Sequence, residues 1–322
     1  VLTRLFESAR KRTRMARIVI CEFMDERAVA QLSARHDVLY DPQLQKEPFR
    51  LLEEASTCDV LIVRNLTQVR GELLSGMARC KVVGRLGVGL DNIDVSGCEA
   101  KSIKVIPATG ANALSVAEYV IASAMMLLRG AYTSTSAVIA GKWPRAALSN
   151  GRETSGKTLG IIGFGSIGQL VARMANGLGM KVIAFDALLD ASTPVFGQNG
   201  STCANLQQVI TQSDVVTLHV PLVDGTRGLF NADRIASMKP GAVLINTSRG
   251  HIVDVVALAS ALKSGHLGGA ALDVFDAEPM PASACFEDCP NLLLTPHISG
   301  VSAESNERVS FMIAQKVLES LG

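Results

Sequence analysis

The sequence has no excess of charge of either sign. Its 31 basic and 30 acidic side chains give a formal net charge of +1 at pH 7. A chain without a net positive field does not attract nucleic acid or an anionic membrane surface over a distance. Neither is therefore an expected partner, and an anionic ligand must be bound by a local cluster of groups.

Cysteine is sparse and follows no pattern. The seven cysteines are scattered and odd in number, which argues against a disulfide framework. Cys285 and Cys289 form a close pair, but no histidine or second cysteine pair stands nearby to complete a zinc site. We therefore predict no metal, and a reducing cytoplasmic location fits the composition best.

Long apolar runs are also missing. No stretch approaches the ~20 residues that a membrane-spanning helix requires, and no segment is of low complexity. With 48% hydrophobic and 19% charged residues, the 322-residue chain resembles a compact soluble protein of two domains. The basic residues 1–15 are predicted to be an extension outside the fold; Glu7 and the lack of a cleavage pattern count against a targeting peptide.

Short apolar runs recur along the chain and lack the strict alternation of a half-exposed strand, as buried parallel strands do. They predict an α/β fold with two doubly wound parallel-sheet domains. Between the halves, "SVAEYVIASAMMLLRGAY" predicts a helix buried on several faces, with Met125 and Met126 in the core. The strand-like runs are "RIVIC", "DVLIV", "KVVGRL", "IKVIP", "TLGIIG", "KVIAF", "VVTLHV", "AVLIN", "GGAALDV" and "NLLLTP".

A glycine motif follows the first strand of the second half. In "TLGIIGFGSIGQLVARMA" the glycines stand in G-x-G-x-x-G register before an amphipathic helix, which suits a dinucleotide pyrophosphate at the helix N-terminus. Asp186 ends the next strand-like run and is predicted to bind the ribose hydroxyls, which favours NAD over NADP. The alternative is that the glycines serve only helix–strand packing. The loop residues predicted to bind NAD are Gly163, Gly165, Ser166, Ile167 and Gly168.

Three polar residues stand at the carboxyl ends of strand-like runs, where open α/β sheets place their ligands. They are Arg249 in "NTSRG", Glu278 in "DVFDAEP" and His297 in "TPHISG". A histidine exchanges a proton with a hydroxyl near neutral pH, and a neighbouring carboxylate orients its ring. Arg249 requires an anionic partner.

The ordered motifs resemble the D-isomer-specific 2-hydroxyacid dehydrogenase family from Met15 to Gly322. The resemblance implies that His297 is the acid/base, that Glu278 is its partner, and that Arg249 binds the carboxylate and keto oxygen of a 2-oxo acid. The motifs are "LGVGLDNID", "GANALSVAEY", the glycine loop, "HVPL", "NTSRG", "ALDVFDAEP" and "TPH".

The resemblance also implies an architecture. A Rossmann NAD domain, residues 112–297, is expected to be inserted into a smaller flavodoxin-like substrate domain of residues 16–111 and 298–322. Closure at the two crossings would exclude water. A homodimer is expected, built on the helix at 115–132 and the arm through "GKWPR".

Further site residues follow from the same resemblance. The backbone at Val88 and Gly89 would hold the substrate carboxylate, with Asn112 close by. Asp273 has the alternative of a strand-end cap, and His219 that of a satisfied core histidine. The residues implied to contact NAD are Thr247 and Asp273 at the nicotinamide, His219 and Pro221 on the adenine side, and Thr226.

Three arginines outside the catalytic set suggest a second anion site for the substrate. They are Arg64, Arg85 and Arg145, each of which has solvated surface arginine as its alternative. The motifs "EFMDE", "YDP", "VRNLTQV" and "GKWPR" are similar to those of (S)-sulfolactate dehydrogenases, in which a sulfonate takes the place of a phosphate. The alternatives are a D-3-phosphoglycerate dehydrogenase, a glyoxylate/hydroxypyruvate reductase and, more remotely, an NAD-sensing corepressor-like scaffold.

Overall fold

The computed structural model describes residues 15–322, apart from the side chains of Thr133 and Ala284. The predicted extension therefore lies, except for Met15, outside the described residues. The elements follow one another as β1 (Arg17–Ile20), α1 (Glu26–Ser33), β2 (Asp37–Tyr40), α2 (Pro48–Thr57), β3 (Val60–Val63), α3 (Gly71–Gly76), β4 (Val82–Arg85), α4 (Val95–Ala100), β5 (Lys104–Pro107), α5 (Ala113–Arg129), α6 (Thr135–Ile139), β6 (Thr158–Ile162), α7 (Ser166–Gly177), β7 (Lys181–Phe185), α8 (Val195–Gln198), β8 (Ser201–Cys203), α9 (Leu206–Gln212), β9 (Val215–Leu218), α10 (Ala232–Ala236), β10 (Val243–Asn246), α11 (Val255–Lys263), β11 (Gly269–Leu272), β12 (Leu292–Leu294) and α12 (Ala303–Leu321).

The chain divides into two compact units. The first contains the described residues up to Asn112 together with Ser302–Gly322, and the second is Ala113–Val301. The second crossing lies four residues later than the predicted boundary at 298. The reason is that Ile298 and Ser299 donate their backbone N–H groups to the Asp273 carboxylate, which ties this segment to the second unit.

The first unit has a parallel five-stranded sheet in the order β2-β1-β3-β4-β5, which is the flavodoxin-like order. Successive side chains of a strand point to opposite faces. Ile18 and Ile20 therefore pack against α1 and α12, whereas Val19 packs against α2 and α3. Helix α12 approaches β4 at Gly84, where a Cβ would lie 3.0 Å from Ile313, and this packing returns the last helix to the first unit.

The second unit has a parallel seven-stranded sheet in the order β12-β11-β10-β9-β6-β7-β8. Counted from β6, this is the dinucleotide-binding order 3-2-1-4-5-6 with β12 added at one edge. The strand order reverses between β6 and β9, which pair from Leu159 with Val215 to Ile162 with Leu218. The loops after these two strands, at Gly163 and His219, therefore stand at the switch point where such sheets bind their ligands.

The predicted fold class is confirmed, and each of the ten predicted apolar runs contains a strand. Two strands were missed: β2, with the sequence "DVLY", and β8, with the sequence "STC". Both are short strands at a sheet edge, where one side has no neighbouring strand and burial is incomplete. An edge strand needs no continuous apolar run, so the pattern that identifies central strands does not report it.

Candidate active site

The loop after β6 has backbone geometry that requires glycine. Gly163 has φ 93°, and a Cβ there would lie 2.3 Å from the His219 carbonyl oxygen. A Cβ at Gly168 would lie 2.4 Å from the Gly163 oxygen, whereas one at Gly165 would meet no described atom within 4 Å. The loop is thus closely packed on its protein side and open at Gly165, the residue before α7, which begins with Ser166 and Ile167. An open helix N-terminus of this kind fits a pyrophosphate.

Asp186 follows β7 and connects this loop to the next strand. Its Oδ2 accepts the N–H of Phe164 at 2.7 Å, and its Oδ1 accepts that of Leu188 at 2.9 Å. Each carboxylate oxygen has a further lone pair. The predicted bonds to a ribose therefore stay compatible with these two contacts.

His219 and Thr226 are held by their own surroundings. His219 Nε2 lies 3.0 Å from Thr217 Oγ1, and burial lowers the pKa of the imidazole to about 3. The ring is therefore neutral and has a partner at Nε2, which is in keeping with the alternative of a core histidine. The His219 carbonyl packs against Gly163. Thr226 Oγ1 contacts the carbonyl of Pro221 at 2.5 Å and closes that loop. Contacts of these residues with NAD stay predictions.

Thr247 follows β10 and has an unsatisfied hydroxyl. Its Oγ1 is buried and has no hydrogen-bond partner among residues 15–322. A buried hydroxyl without a partner is costly, and such atoms are commonly satisfied by a ligand or water. Thr247 thus fits its predicted place beside the nicotinamide, and the open N-terminus at Gly165 fits the pyrophosphate of the same dinucleotide.

Arg249 is positioned by a rigid turn after the same strand. The side-chain amide of Asn246 donates to the Arg249 carbonyl at 2.8 Å and accepts the Ser248 N–H at 3.0 Å. Arg249 Nη1 donates to the Ser248 carbonyl at 2.6 Å. A Cβ at Gly250 would lie 2.1 Å from the backbone of Phe275, so this glycine lets the arginine turn pack directly on the loop that follows β11.

The loop after β11 brings the predicted acid/base pair together. His297 Nδ1 lies 2.6 Å from Glu278 Oε2, and Glu278 Oε1 accepts the N–H of Phe275 at 2.9 Å. The side chains of His297 and Glu278 are 50% and 35% exposed, so both can be reached by a small molecule. A histidine held through Nδ1 by a carboxylate presents Nε2 for proton exchange.

Asp273 anchors the turn that carries the histidine. It is fully buried at the end of β11, and its carboxylate accepts the backbone N–H groups of Ile298 and Ser299 at 2.8 and 2.9 Å. Thr295 Oγ1 donates to it at 2.6 Å. This geometry matches the alternative of a strand-end cap, and a contact of Asp273 with the nicotinamide stays a prediction.

In the first unit, Arg64 follows β3 in a loop bound to a buried carboxylate. Glu22 accepts four backbone N–H groups, those of residues 64–67, at 2.8 to 3.2 Å. Arg64 Nη2 donates to Asn306 Oδ1 at 2.7 Å, and its guanidinium carbon lies 5.8 Å from the centre of the Phe23 ring. Burial lowers the pKa of Arg64, while the Glu22 charge acts in the opposite direction. Glu22 opens the motif "EFMDE", which by itself indicates no role for this carboxylate.

Arg85 ends β4, the strand beside β3, and pairs in register with Val63. Arg64 and Arg85 thus stand at the carboxyl ends of two adjacent strands of one sheet. Arg85 Nη1 donates to the Leu86 carbonyl at 3.0 Å, and a Cβ at Gly87 would lie 1.5 Å from Nη1, so glycine is needed to seat the guanidinium.

The remaining predicted substrate residues have no contact that assigns a ligand. Val88 is exposed and Gly89 half-buried in the loop after β4, and Asn112 is the last residue of the first unit before α5. Arg145 lies in the exposed segment after α6, where a solvated arginine is an equal explanation. Their roles stay predictions.

Residues 15–322 contain no helix long and apolar enough to cross a membrane. Within the same range, no cluster of three or more histidine, cysteine or acidic side chains is arranged to hold a metal ion. All seven cysteines are free thiols.

Comparison with known proteins gives a consistent assignment. Residues 121–299 match the model of the D-isomer specific 2-hydroxyacid dehydrogenase, NAD binding domain. The chain is 49% identical over 308 residues to an (S)-sulfolactate dehydrogenase of Chromohalobacter salexigens, covering 96% of this chain and 99% of that one. It is 36% identical to a hydroxypyruvate reductase of Thermotoga maritima, covering 95% and 98% of the two chains.

A solved structure extends the comparison to the fold. The D-lactate dehydrogenase of Aquifex aeolicus, crystallised with NAD and lactic acid, matches with a TM-score of 0.81 at 28% identity, covering 94% of this chain and 95% of that one. Together with the parallel sheets, the glycine loop and the histidine–glutamate pair, these matches show that the chain belongs to the D-isomer specific 2-hydroxyacid dehydrogenase family and is an NAD-dependent oxidoreductase.

Proposed function

We propose that the protein interconverts (S)-sulfolactate and 3-sulfopyruvate with NAD. The His297–Glu278 contact of 2.6 Å is the observation that supports the reaction. Two observations support the substrate: the 49% identity to an (S)-sulfolactate dehydrogenase, and the arginines at the ends of β3 and β4. When bound, NAD supplies the hydride acceptor at C2 of the hydroxy acid.

His297 is proposed as the acid/base. With Nδ1–H donated to Glu278, the lone pair of Nε2 accepts the proton of the C2 hydroxyl during oxidation. The imidazole becomes positively charged in this step, and the Glu278 carboxylate stabilises that charge at 2.6 Å. In reduction the imidazolium returns the proton to the forming alkoxide.

Arg249 is proposed to bind the substrate carboxylate and the C2 oxygen. A guanidinium presents its N–H groups in a planar fork that matches a carboxylate with two parallel hydrogen bonds. The Asn246 amide and the backbone packing at Gly250 fix the turn beneath it. Its positive charge also polarises the keto oxygen in the reducing direction.

Arg64 and Arg85 are proposed to bind the sulfonate on C3. Both stand at the carboxyl ends of adjacent strands of the first sheet; the Glu22 carboxylate holds the loop of Arg64, and Gly87 leaves room for the Arg85 guanidinium. Charge-assisted bonds from arginine suit a sulfonate or a phosphate. D-3-phosphoglycerate is therefore the second candidate substrate.

The test is a panel of kcat/KM values with NAD for (S)-sulfolactate, (R)-sulfolactate, D-3-phosphoglycerate, D-glycerate and D-lactate. Sulfur raises the priority of the C3 branch, so the D-like arrangement of this family is named S in sulfolactate. We expect (S)-sulfolactate to exceed its enantiomer and D-lactate by ~10²-fold or more, a factor that charge-assisted contacts can supply. A higher value for D-3-phosphoglycerate would identify the second candidate.

Variants separate the proposed roles. His297→Gln should lower kcat for every acid by ~10²–10⁴-fold, the usual contribution of proton transfer. Arg85→Ala should lower kcat/KM for (S)-sulfolactate much more than for D-lactate. Arg79→Ala is the matched control, because Arg79 forms an ion pair with Asp59 near the amino ends of the same two strands, β3 and β4. Equal losses for both acids in Arg85→Ala would reject the second anion site.

A homodimer in the cytoplasm is also proposed. Met125 and Met126 on α5 are 40% and 39% exposed, contrary to the expected core position, and Ile139 and Trp143 beyond this helix are 82% and 78% exposed. Apolar side chains of this size are buried when a second copy packs on them. Sedimentation at micromolar concentration should show a dimer, and Trp143→Ser should weaken it. Free thiols throughout support a reducing compartment.

A further inference from the structure

The catalytic histidine is held in an unfavourable backbone conformation. His297 has φ 54°, in the left-handed region that non-glycine residues seldom adopt. Such a conformation persists only when the surrounding structure imposes it. The His297 N–H donates to the carbonyls of Asp273 and Thr295 at 2.8 and 3.0 Å, so the backbone that enters the histidine is held to the end of β11.

The side-chain support of this turn begins at Thr295, the first residue after β12. Its N–H donates to the Leu272 carbonyl at 3.1 Å, and its Oγ1 donates to the buried Asp273 carboxylate at 2.6 Å. Ile298 and Ser299 donate to the same carboxylate from the other end of the turn. The residues on either side of His297 therefore converge on one buried anion.

A tyrosine on helix α5 also contacts Thr295. Tyr119 on α5 lies with its hydroxyl 2.7 Å from Thr295 Oγ1. A threonine hydroxyl has one proton, and that of Thr295 is donated to Asp273. The proton in the Tyr119–Thr295 bond must therefore come from Tyr119, and the bonds run in one direction, from Tyr119 through Thr295 to Asp273.

The state of Tyr119 agrees with this direction. Burial raises the pKa of its phenol and outweighs the hydrogen bonds with Thr295 and Ser123, which act in the opposite direction; the Asp273 charge acts in the same direction as burial. The phenol therefore keeps its proton and remains a donor across the range in which a dehydrogenase works. The hydrogen bond from Tyr119 to Thr295 is therefore present at all such pH values.

We propose that Tyr119 and Thr295 are positioning residues that set the place of His297 through Asp273. The proposal rests on the proposed function, since it requires His297 to be the acid/base. Neither hydroxyl touches substrate or cofactor in this role. Their loss should let the turn relax toward ordinary φ values and move the imidazole away from its bond with Glu278.

The experiment compares Tyr119→Phe, Thr295→Val and Thr295→Ser in the full-length protein. Tyr119→Phe removes one buried hydrogen bond and should lower kcat by about 5-fold, whereas Thr295→Val removes two and should lower it by about 10-fold or more. KM and the Kd of NAD should change less than about 2-fold. Thr295→Ser keeps the hydroxyl and should retain kcat. If Thr295→Val retained the same kcat as Thr295→Ser, the proposed role of the Thr295 hydroxyl would be rejected.

A double-variant cycle tests whether the two hydroxyls act in series. If Tyr119 acts only through Thr295, the double variant Tyr119→Phe/Thr295→Val should lose no more activity than Thr295→Val alone. Losses that multiply would show that Tyr119 acts independently and would overturn the proposed chain.

Tyr40→Phe is the matched control for the loss of a tyrosine hydroxyl. The Tyr40 hydroxyl donates to the Met24 carbonyl at 3.0 Å in the first unit, so its removal costs a comparable bond. It should lower Tm without lowering kcat. If Tyr119→Phe lowers only Tm, the residue is merely structural and the inference is wrong. If His297→Gln retains kcat, the proposed function itself fails, and the two failures are thus distinguishable.

Discussion

The two units use the same arrangement to hold a functional loop. In the first unit Glu22 follows β1 and accepts hydrogen bonds from the loop after the neighbouring strand β3. In the second unit Asp273 follows β11 and accepts hydrogen bonds from the turn after the neighbouring strand β12. Both carboxylates are buried, and each loop carries a residue of the proposed mechanism, Arg64 or His297.

The two loops differ in what the carboxylate fixes. Glu22 receives four backbone N–H groups, so it holds the base of the loop, while Asn306 and Phe23 direct the Arg64 guanidinium. Asp273 receives two backbone N–H groups and a hydroxyl, and between them the backbone of His297 itself is left-handed. The long Arg64 side chain is positioned by contacts at its guanidinium, whereas the position of the shorter His297 side chain depends on its backbone conformation.

The strongest test of this comparison is Asp273→Asn. The amide nitrogen would face the N–H of Ile298 or Ser299 in place of an acceptor, so the turn should lose its anchor and kcat should fall by ~10²-fold, the lower end of a proton-transfer contribution. Steady-state kinetics and NAD titration measure the result. Asp254→Asn, at the N-cap of α11, is the control because asparagine caps equally well. A weakened Kd for NAD with kcat retained would favour the predicted nicotinamide contact instead.

The corresponding change in the first unit is Glu22→Gln, for which we expect a loss of stability larger than any loss of turnover. The amide nitrogen would oppose two backbone donors, at a cost of ~2–3 kcal/mol in the free energy of unfolding. Thermal unfolding and kcat/KM for (S)-sulfolactate and D-lactate measure the two effects, and (S)-sulfolactate should suffer more. Glu54→Gln, which removes a partly exposed ion pair with Arg17, is the control. Unchanged Tm would contradict the anchoring role of Glu22.

The smallest effect concerns acid stability, for which each unit has one histidine with a pKa lowered by desolvation. Burial lowers the pKa of His219 to about 3 and also lowers that of His36, whose Nδ1 accepts the Ala16 N–H. Since the folded-state pKa is depressed, this stability is complete above the unfolded pKa of ~6.5 and is lost as the pH falls below it. For His219 the loss between pH 7 and 6 should be about 0.7 kcal/mol.

The measurement is the free energy of unfolding against pH for the wild type, His219→Gln and His36→Gln without NAD. Each substitution should flatten the curve below pH 7, and His219→Gln should do so more strongly. Curves that stay parallel to the wild type would show that the two imidazoles do not stay neutral in the folded protein.

Strand-end chemistry was predictable because it follows from local pattern. The central strands are apolar runs, the glycine loop follows one of them, and Arg249, Glu278 and His297 follow others; the structure joins His297 and Glu278 at 2.6 Å. The edge strands β2 and β8 were missed because they have little buried surface. Tyr119 and Thr295 were present in the motifs "GANALSVAEY" and "TPH", but nothing in those motifs indicates that they touch.

The sequence by itself determined the fold class and the family, and it singled out the glycine loop and the side chains proposed to react, because each depends on residues close together in the chain. The tertiary structure alone decided how those side chains are held. Glu22 meets residues 64–67, and Tyr119 meets Thr295, across long separations in sequence. Such bonds form only when parallel strands and their covering helices bring distant segments together. No local periodicity in the sequence indicates which buried carboxylate will accept hydrogen bonds from which loop.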